Sequence, residues 1–202
     1  LLVSSAASDV YKRQTYSAKK LDNVQIPAFF PENSKIKSDF ITNYKNIEKL
    51  DEQIGVIINQ LKEDDLYDNT IIFFFSDHGG PFPRYKRSIY ETGLRVPMIA
   101  KWINDKNRGN NYQLVSFVDF APTVLDAANL KREFPFEGVS FFKKNNRSYV
   151  YAASDRFDEA TDIRRSISDG KFKLIYNGDT SSPVYKSVRY RKQMQTMQVL
   201  DS

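Results

Sequence analysis

Asp77 and His78 directly follow a β-branched and aromatic run, Thr70–Phe75, and are the first candidates for chemistry in this chain. A carboxylate beside an imidazole offers one hard oxygen ligand and one borderline nitrogen ligand to a divalent cation. Gly79 and Gly80 come next, and glycines let a backbone or a ligand approach closely. In open α/β sheets, ligands bind beyond the carboxyl ends of the strands. Taken alone, the pattern is compatible with a metal-binding pair at a strand end, but a plain turn is the more common meaning of Asp-His-Gly at this position.

Lys86 and Arg87 follow His78 by eight and nine residues, inside the proline- and cation-rich segment Pro81–Pro97. The whole chain carries 30 Lys and Arg against 25 Asp and Glu. A net charge of +5 would tolerate or mildly attract an anionic substrate. Composition alone favours a solvated basic loop, so anion binding and simple solvation both stay open for these two residues.

Regular elements on either side would position these residues. Asp39–Lys62 repeats apolar side chains at steps of three and four, which predicts a helix with Ser38 as its N-cap. Thr70–Phe75 is typical of a strand apolar on both faces, and such strands belong in parallel sheets covered on both sides. A second strand over Arg95–Trp102 and a second helix over Val118–Leu130 follow. This order predicts an α/β fold that contains part of a doubly wound, mostly parallel sheet.

The pattern changes after residue 134. Tyr149–Ser154 and Arg165–Tyr176 look like strands without helices between them, and Asp169-Gly170 predicts a hairpin turn within the second run. We therefore expect three regions: a non-native or disordered leader over residues 1–14, a partial α/β core over 15–134, and an appended small antiparallel subdomain, itself truncated, over 135–202.

Composition excludes several classes of function. The chain has 202 residues and no Cys, which rules out a disulfide scaffold, a thiolate zinc site and a cysteine nucleophile. Its positive charge is modest and spread along the sequence, so we expect no nucleic-acid partner. The longest apolar run, Ile71–Phe75, is far shorter than the ~20 residues that span a bilayer, so we expect no membrane span.

Several motifs, in order along the chain, resemble the sulfatase family of the alkaline phosphatase superfamily. The block after the apolar strand is similar to the second half of the family signature. Other segments resemble the neighbouring elements of bacterial sulfatases related to heparan N-sulfatases. The matching residues are Ser76-Asp77-His78-Gly79, Lys86-x-x-x-Tyr90-Glu91-x-Gly93-x-Arg95-Val96-Pro97, Leu50–Gly55, Asp68–Ile72, Val118–Leu125, Ser154–Glu159 and Ser168–Ile175.

The resemblance implies a hydrolase that cleaves a sulfate ester, or a sulfamate, on a sulfated small molecule or glycan. Asp77 and His78 match the family's metal ligands after the buried strand, so calcium or another divalent cation is the implied cofactor. Lys86 matches the lysine that contacts the sulfate. A cation and an ammonium together would stabilise an oxyanion whose charge shifts as the S–O bond breaks. Family analogy also implies a periplasmic or extracellular location.

The chain departs from the family at the nucleophile. Family members use a formylglycine made from the first residue of a Cys/Ser-x-Pro-x-Arg motif. The nearest approach here, Ser181–Tyr185, ends in Tyr where Arg is required. The family's two N-terminal aspartates and its leaving-group histidine also have no match. We therefore expect the C-terminal half of a longer sulfatase, inactive by itself, with the formylglycine in the missing half.

Two other functions stay open. A phosphodiesterase or a phosphoethanolamine transferase of the same superfamily shares a strand-end Asp-His-Gly, although Lys86–Pro97 favours a sulfatase. A non-catalytic anion- or sugar-binding relative would also lack a nucleophile.

Further charged residues are candidates for lining a substrate pocket. Arg87, Arg156, Asp158 and Glu159 form this set, and an exposed turn between strands is an equal alternative for the last three. Tyr185–Arg191 carries cations among aromatic residues. A solvated face is a better interpretation of that run than contact with a sulfated glycan.

Overall fold

The computed structural model describes residues 24–104, 109–131, 133–142, 147–181 and 188–202. These residues divide into two compact units, each built from separate stretches of chain. The first unit contains residues 24–104, 157–160 and 188–202, and the second contains the remainder. The leader predicted over residues 1–14 lies outside the described residues, and the domain boundary at residue 134 stays a prediction.

The first unit is organised around a long helix, α1, over Ser34–Glu63. It begins at Asn33, whose side-chain oxygen accepts a hydrogen bond from the Lys35 N–H at 2.8 Å. The start predicted at Asp39, with Ser38 as N-cap, is therefore wrong by about one turn. The cause is that Asn33 satisfies a free N–H of the first turn before Ser38 is reached, so Ser38 lies inside the helix.

Only the first two turns of α1 face a dense core. Ile36 and Phe40 are buried there with Phe30 and Phe82. The Phe40 and Phe82 rings stack with centroids 3.9 Å apart and planes within 4° of parallel. Phe82 thereby anchors the segment that follows the candidate metal pair to the helix that precedes it. Pairs of this kind stabilise a fold by about 0.5–1.5 kcal/mol beyond their buried area.

Two short strands flank the segment Ser76–Pro97, which contains the candidate site residues. Strand β1, Ile72–Phe75, pairs antiparallel with β2, Met98–Lys101, with Ile72 opposite Lys101 and Phe75 opposite Met98. The intervening residues contain a four-residue helix, α2, over Glu91–Leu94. The two ends of this segment lie close together, because the Ser76 N–H donates a hydrogen bond to the Pro97 carbonyl at 3.3 Å.

The expectation of a mostly parallel sheet is not met within the described residues of the first unit, where β1 and β2 pair antiparallel. A continuous apolar run shows that both faces of a strand can be buried, but it does not set the direction of the neighbouring strand. The direction of the neighbouring strand depends on the connection between the two strands. Here Ser76–Pro97 connects them without a crossover to the starting end of β1, so β2 runs antiparallel to β1.

A 3₁₀ turn, Phe117–Asp119, leads into helix α3, Phe120–Ala127. A three-stranded sheet follows, made of β3, Val150–Phe157, β4, Ala160–Ser168, and β5, Lys173–Asn177. β4 lies between the other two strands and pairs antiparallel with β5. The predicted hairpin is confirmed by this pairing, and Gly170 has φ +88° in its turn.

The last described residues return to the first unit. A 3₁₀ turn, Arg189–Gln193, precedes helix α4, Gln195–Leu200. The Asp39 carboxylate of α1 accepts hydrogen bonds from the Thr196 N–H at 2.7 Å and the Thr196 hydroxyl at 2.8 Å. Among the described helices, none is long and apolar enough to cross a membrane.

Candidate functional site

Asp77 and His78 lie at the end of β1, as the sequence predicts. The Asp77 side chain is 55% exposed and His78 is half-buried. His78 Nδ1 lies 2.6 Å from the Gly79 carbonyl oxygen. Because a carbonyl oxygen only accepts, this contact assigns a proton to Nδ1 and leaves the Nε2 lone pair of the neutral ring available. Ser76 Oγ donates to the His78 carbonyl at 2.6 Å, which holds the turn.

The two side chains are spaced as neighbouring ligands of one cation would be. His78 Nε2 lies 3.6 Å from Asp77 Oδ1. Two ligands bound at right angles to one calcium ion, each at roughly 2.4 Å, are roughly 3.4 Å apart. The Nδ1 contact with a backbone carbonyl is also the usual support for a metal-binding histidine. The pair therefore fits a divalent cation, and it supplies two ligands of the six to eight or so that calcium takes.

No larger ligand set is present within the described ranges, where no group of three or more His, Cys, Asp and Glu side chains is placed to hold a metal ion. Asp77 and His78 are thus a pair of candidate ligands, and a complete metal site would need further ligands beside them.

Two glycines let the loop of Lys86 pack against this turn. A Cβ on Gly79 would overlap the Thr92 carbonyl oxygen, and a Cβ on Gly93 would overlap the carbonyl oxygens of Ser88 and Tyr85. The Gly79 N–H donates to the Gly93 carbonyl at 3.1 Å. Larger residues at either glycine would push the two segments apart.

Two hydrogen bonds hold the backbone of Lys86. Its N–H donates to the Gly80 carbonyl at 2.9 Å, and its carbonyl accepts from Arg191 Nη2 at 2.6 Å. Partial burial lowers the pKa of the Lys86 amine, and the nearby cations Arg87 and Arg191 lower it further, while Asp77 opposes them. The ammonium is thus destabilised until an anion joins it, which suits a group that contacts sulfate.

Arg84 and Arg87 have left-handed backbones, each with φ +66°. Such a conformation costs a non-glycine residue about 1–2 kcal/mol, so contacts from elsewhere must hold this loop in place.

The turn after β3 supplies one of these contacts. Asp158 forms an ion pair with Arg87, and its own φ is +55°. The neighbouring Glu159 carboxylate accepts a hydrogen bond from the Arg189 N–H at 2.9 Å, which lowers the pKa of Glu159. Three predicted pocket residues, Arg87, Asp158 and Glu159, thus lie in the same unit as Asp77, His78 and Lys86.

Arg156 is the fourth of these candidate pocket residues. It belongs to the second unit, where its side chain is exposed and its carbonyl accepts a hydrogen bond from Ser154 Oγ at 3.2 Å. Most of the near-match to the nucleophile motif, Ser181–Tyr185, lies outside the described residues.

Sequence reasoning did not single out Arg191 as a buried residue. Its guanidinium is fully buried, and its central carbon lies 4.7 Å from the centroid of the Phe157 ring. The interpretation of Tyr185–Arg191 as a solvated face is therefore wrong at this residue. An arginine in a run of cations is usually exposed, and only the folded chain shows what covers it.

Two family models match overlapping parts of this chain. A family model described as Sulfatase matches residues 7–130, and one described as N-sulphoglucosamine sulphohydrolase, C-terminal, matches residues 80–201. The chain is 44% identical over 179 residues to the ulvan-active sulfatase of Formosa agariphila, covering 87% of this chain and 30% of that protein. It is 26% identical over 106 residues to the human N-sulphoglucosamine sulphohydrolase, covering 52% of this chain and 21% of that protein.

Solved structures support the fold. One is the structure of BT4656 in complex with its substrate D-glucosamine-2-N,6-O-disulfate, with a TM-score of 0.63 at 23% identity, covering 80% of this chain and 36% of that one. A phosphonate monoester hydrolase from Silicibacter pomeroyi gives a TM-score of 0.51 at 15% identity, covering 74% and 36%. Both likenesses bear on the fold alone.

The chain spans less than a third of the length of the two curated relatives named above. Matches to the two family models together run from residue 7 to residue 201, and each covers more than half of the chain. The resemblance that the motifs carry is confirmed: this chain belongs to the sulfatase family.

Proposed function

We propose that Asp77, His78 and Lys86 form the metal-binding and sulfate-contacting part of a sulfatase site that acts on a sulfate ester or sulfamate of a glycan. The observation that carries the proposal is the placement of the Asp77 and His78 side chains beside each other at the end of β1. His78 Nε2 and Asp77 Oδ1 lie 3.6 Å apart with Nδ1 turned to a carbonyl, and the backbone of Lys86 is hydrogen-bonded to the same loop.

Each residue has a distinct task in this proposal. Asp77 contributes the charged oxygen that a hard cation prefers, and His78 contributes a neutral nitrogen. The bound cation, calcium or another divalent ion, would neutralise negative charge on the sulfate oxygens. Lys86 adds a positive charge whose donors can bond to those oxygens as the S–O bond breaks. The sequence contains no Cys and no Cys/Ser-x-Pro-x-Arg motif, so the nucleophile is not proposed among these 202 residues.

The relatives support the choice of substrate class. The similar proteins include one named as an ulvan-active sulfatase and one named as N-sulphoglucosamine sulphohydrolase. Sulfated glycan is therefore the substrate class we propose for the protein that uses this site.

The test uses the 202-residue chain itself, with Mn²⁺ as a paramagnetic probe of an oxygen-rich cation site. NMR line broadening detects even millimolar binding, which a site with two protein ligands is expected to show. We expect broadening centred on His78, Gly79 and Gly80. It should disappear in Asp77→Ala, weaken in His78→Ala and persist in Lys86→Ala.

Inorganic sulfate is the second probe. We expect it to shift the Lys86 amide signal, and Lys86→Ala should remove sulfate binding while Lys35→Ala, at an exposed lysine of α1, leaves it intact. Broadening that ignores Asp77→Ala, or sulfate binding that ignores Lys86→Ala, would show that these roles are assigned wrongly.

A further inference from the structure

The backbone of Lys86 is held by one hydrogen bond within its own loop and by one from a group distant in sequence. Its N–H is bound to Gly80 at 2.9 Å, close to the metal pair. Its carbonyl is bound by the guanidinium of Arg191, which is 105 residues away. The first contact ties Lys86 to its own loop, and only the second ties that loop to the last part of the first unit.

The loop needs such a contact, because its backbone is unfavourable on both sides of Lys86. Arg84 and Arg87 have left-handed φ angles that residues other than glycine rarely adopt. A conformation of this kind persists only when the surroundings over-determine it. Arg191 acts on the carbonyl of Lys86, and Asp158 acts on the side chain of Arg87.

Arg191 is well suited to hold a backbone group rigidly. It is 0% exposed, so it does not itself meet a ligand from solvent. Phe157, itself buried, lies against its guanidinium and restricts the plane of the group. A planar guanidinium that already lies against an aromatic ring loses less conformational freedom on donating a hydrogen bond than a flexible lysine ammonium would.

We propose that Arg191, supported by Phe157, is a positioning residue that fixes the Lys86 peptide and so sets the direction in which the Lys86 ammonium meets a sulfate group. The proposal rests on the proposed function, because it assigns Arg191 a task through Lys86. It goes further in making the affinity for sulfate depend on a residue that touches neither the sulfate nor the metal pair.

The variant that isolates positioning is Arg191→Lys, which keeps a positive charge and removes the fork. Phe157→Leu is a milder second variant, since it leaves Arg191 in place and removes only the ring beneath it. Thr196→Val is the control for general destabilisation, because Thr196 is equally buried in the same unit and bonds to Asp39 rather than to the loop.

Three quantities are measured on each chain: inorganic sulfate affinity at Lys86 by NMR titration, hydrogen exchange of the Lys86 amide, and Mn²⁺ broadening at His78. We expect Arg191→Lys to weaken sulfate binding roughly tenfold and to speed exchange of the Lys86 amide, with Mn²⁺ broadening unchanged. Phe157→Leu should change the same two quantities in the same direction by less. Thr196→Val should lower thermal stability and leave both the sulfate affinity and the exchange of the Lys86 amide unchanged.

The outcomes separate this inference from the proposed function. If Lys86→Ala leaves sulfate binding unchanged, the proposed function fails, and Lys86 amide exchange still reports whether Arg191 holds the loop. If Lys86→Ala abolishes binding but Arg191→Lys and Phe157→Leu both match the wild type, the positioning role is overturned. It is also overturned if these variants lose Mn²⁺ and sulfate binding together, or if Thr196→Val weakens sulfate binding as much as they do.

Discussion

Asp119 holds together the polar interior of the second unit. It is 0% exposed, and its carboxylate accepts hydrogen bonds from the Ser116 and Val139 N–H groups, each at 2.8 Å. The Arg147 guanidinium forms an ion pair with the same carboxylate. One buried charge thus joins the start of α3, the segment before β3 and an arginine, and replacing it would leave several donors without an acceptor.

We expect Asp119→Asn to destabilise the second unit by about 3–5 kcal/mol, because it leaves a largely buried arginine without its counter-charge. Urea unfolding of the full chain, followed by circular dichroism, measures this. Asp155→Asn is the matched control: Asp155 pairs with Arg165, but both side chains are at least half exposed. Exposed pairs contribute about 0–1 kcal/mol, so equal losses in the two variants would refute the structural role of Asp119.

Asp169 gives the β4–β5 hairpin a dependence on pH. The N–H groups of Phe172 and Lys171 donate to its carboxylate, and these bonds lower its pKa. A carboxyl whose folded pKa is lowered stabilises the fold above its unfolded pKa of about 4, and that stability is lost as the pH falls through the folded value.

For this reason the free energy of unfolding should decline between about pH 5 and pH 3 more steeply in the wild type than in Asp169→Asn. Asparagine keeps an oxygen acceptor for the turn but does not titrate there. Unfolding at a series of pH values measures the slope, with Asp51→Asn on α1 as the control for the loss of one negative charge. A variant slope as steep as that of the wild type would contradict the assignment.

At the residue scale, the sequence located candidate site residues that lie next to a recognisable element, and it missed a residue whose position is defined by burial. Asp77 and His78 could be placed because an apolar run ends immediately before them. Arg191 could not, because nothing in its neighbours distinguishes a buried guanidinium from a solvated one. The loop of Lys86 was visible as a motif, but its left-handed residues Arg84 and Arg87 have no sequence signature.

At the scale of elements, α1 shows how local chemistry can indicate two starts for one helix. Both Asn33 and Ser38 are residue types that cap helices, and periodicity continues through both. The structure selects Asn33, because Ile36 is buried in the core and the helix must already be formed there to place it.

Alanine variants of Asn33 and Ser38 are expected to differ in stability, depending on which residue caps α1. Asn33→Ala should lower the free energy of unfolding by about 1 kcal/mol, because the Lys35 N–H loses its acceptor. Ser38→Ala should leave stability unchanged or raise it slightly, because alanine is the better residue inside a helix. Chemical denaturation of both variants decides between them, and the reverse order would restore the start predicted at Asp39.

The presence of strands was predictable from the sequence, but the direction of a strand pair was predictable only where a local turn sets it. The hairpin between β4 and β5 could be read from Asp169-Gly170, because a turn of that kind forces its flanking strands to be antiparallel. No such local signal links β1 to β2, whose connection runs through α2 and the site loop. Their antiparallel pairing is therefore a property of how Ser76–Pro97 folds, not of the apolar run itself.

At the scale of the whole molecule, the chain carries part of a site. We expect the purified 202-residue protein to show no hydrolysis of 4-nitrophenyl sulfate with calcium present, because no residue in it matches the family nucleophile. A release assay at micromolar protein measures this against buffer. Turnover above the buffer control that Asp77→Ala abolishes would show that another group of this chain can attack the sulfate.

The sheet of the second unit has its apolar side outward. Tyr151, Leu174 and Tyr176 are 69%, 70% and 64% exposed, while the polar side chains Asp162 and Arg164 of β4 are buried. Contiguous exposed apolar residues promote association. We expect the chain to self-associate at micromolar concentration, and Leu174→Thr with Tyr176→Thr, which keeps strand propensity, to reduce this. Sedimentation velocity measures it, and a monomeric wild type would contradict the expectation.

The hydrogen bonds between Asp39 and Thr196 span 157 residues of chain. Met194 and Val199, from the same distant stretch, pack on the core that Phe40 helps to form. A ribosome adding roughly 5–20 residues per second needs about 8–30 s to cover that span. Throughout this interval the apolar face of α1 lacks Met194 and Val199 as neighbours. The nascent chain must therefore rely on chaperones or on transient contacts until residues 194–199 have been synthesised, and contacts of such long range also make the closing step slow.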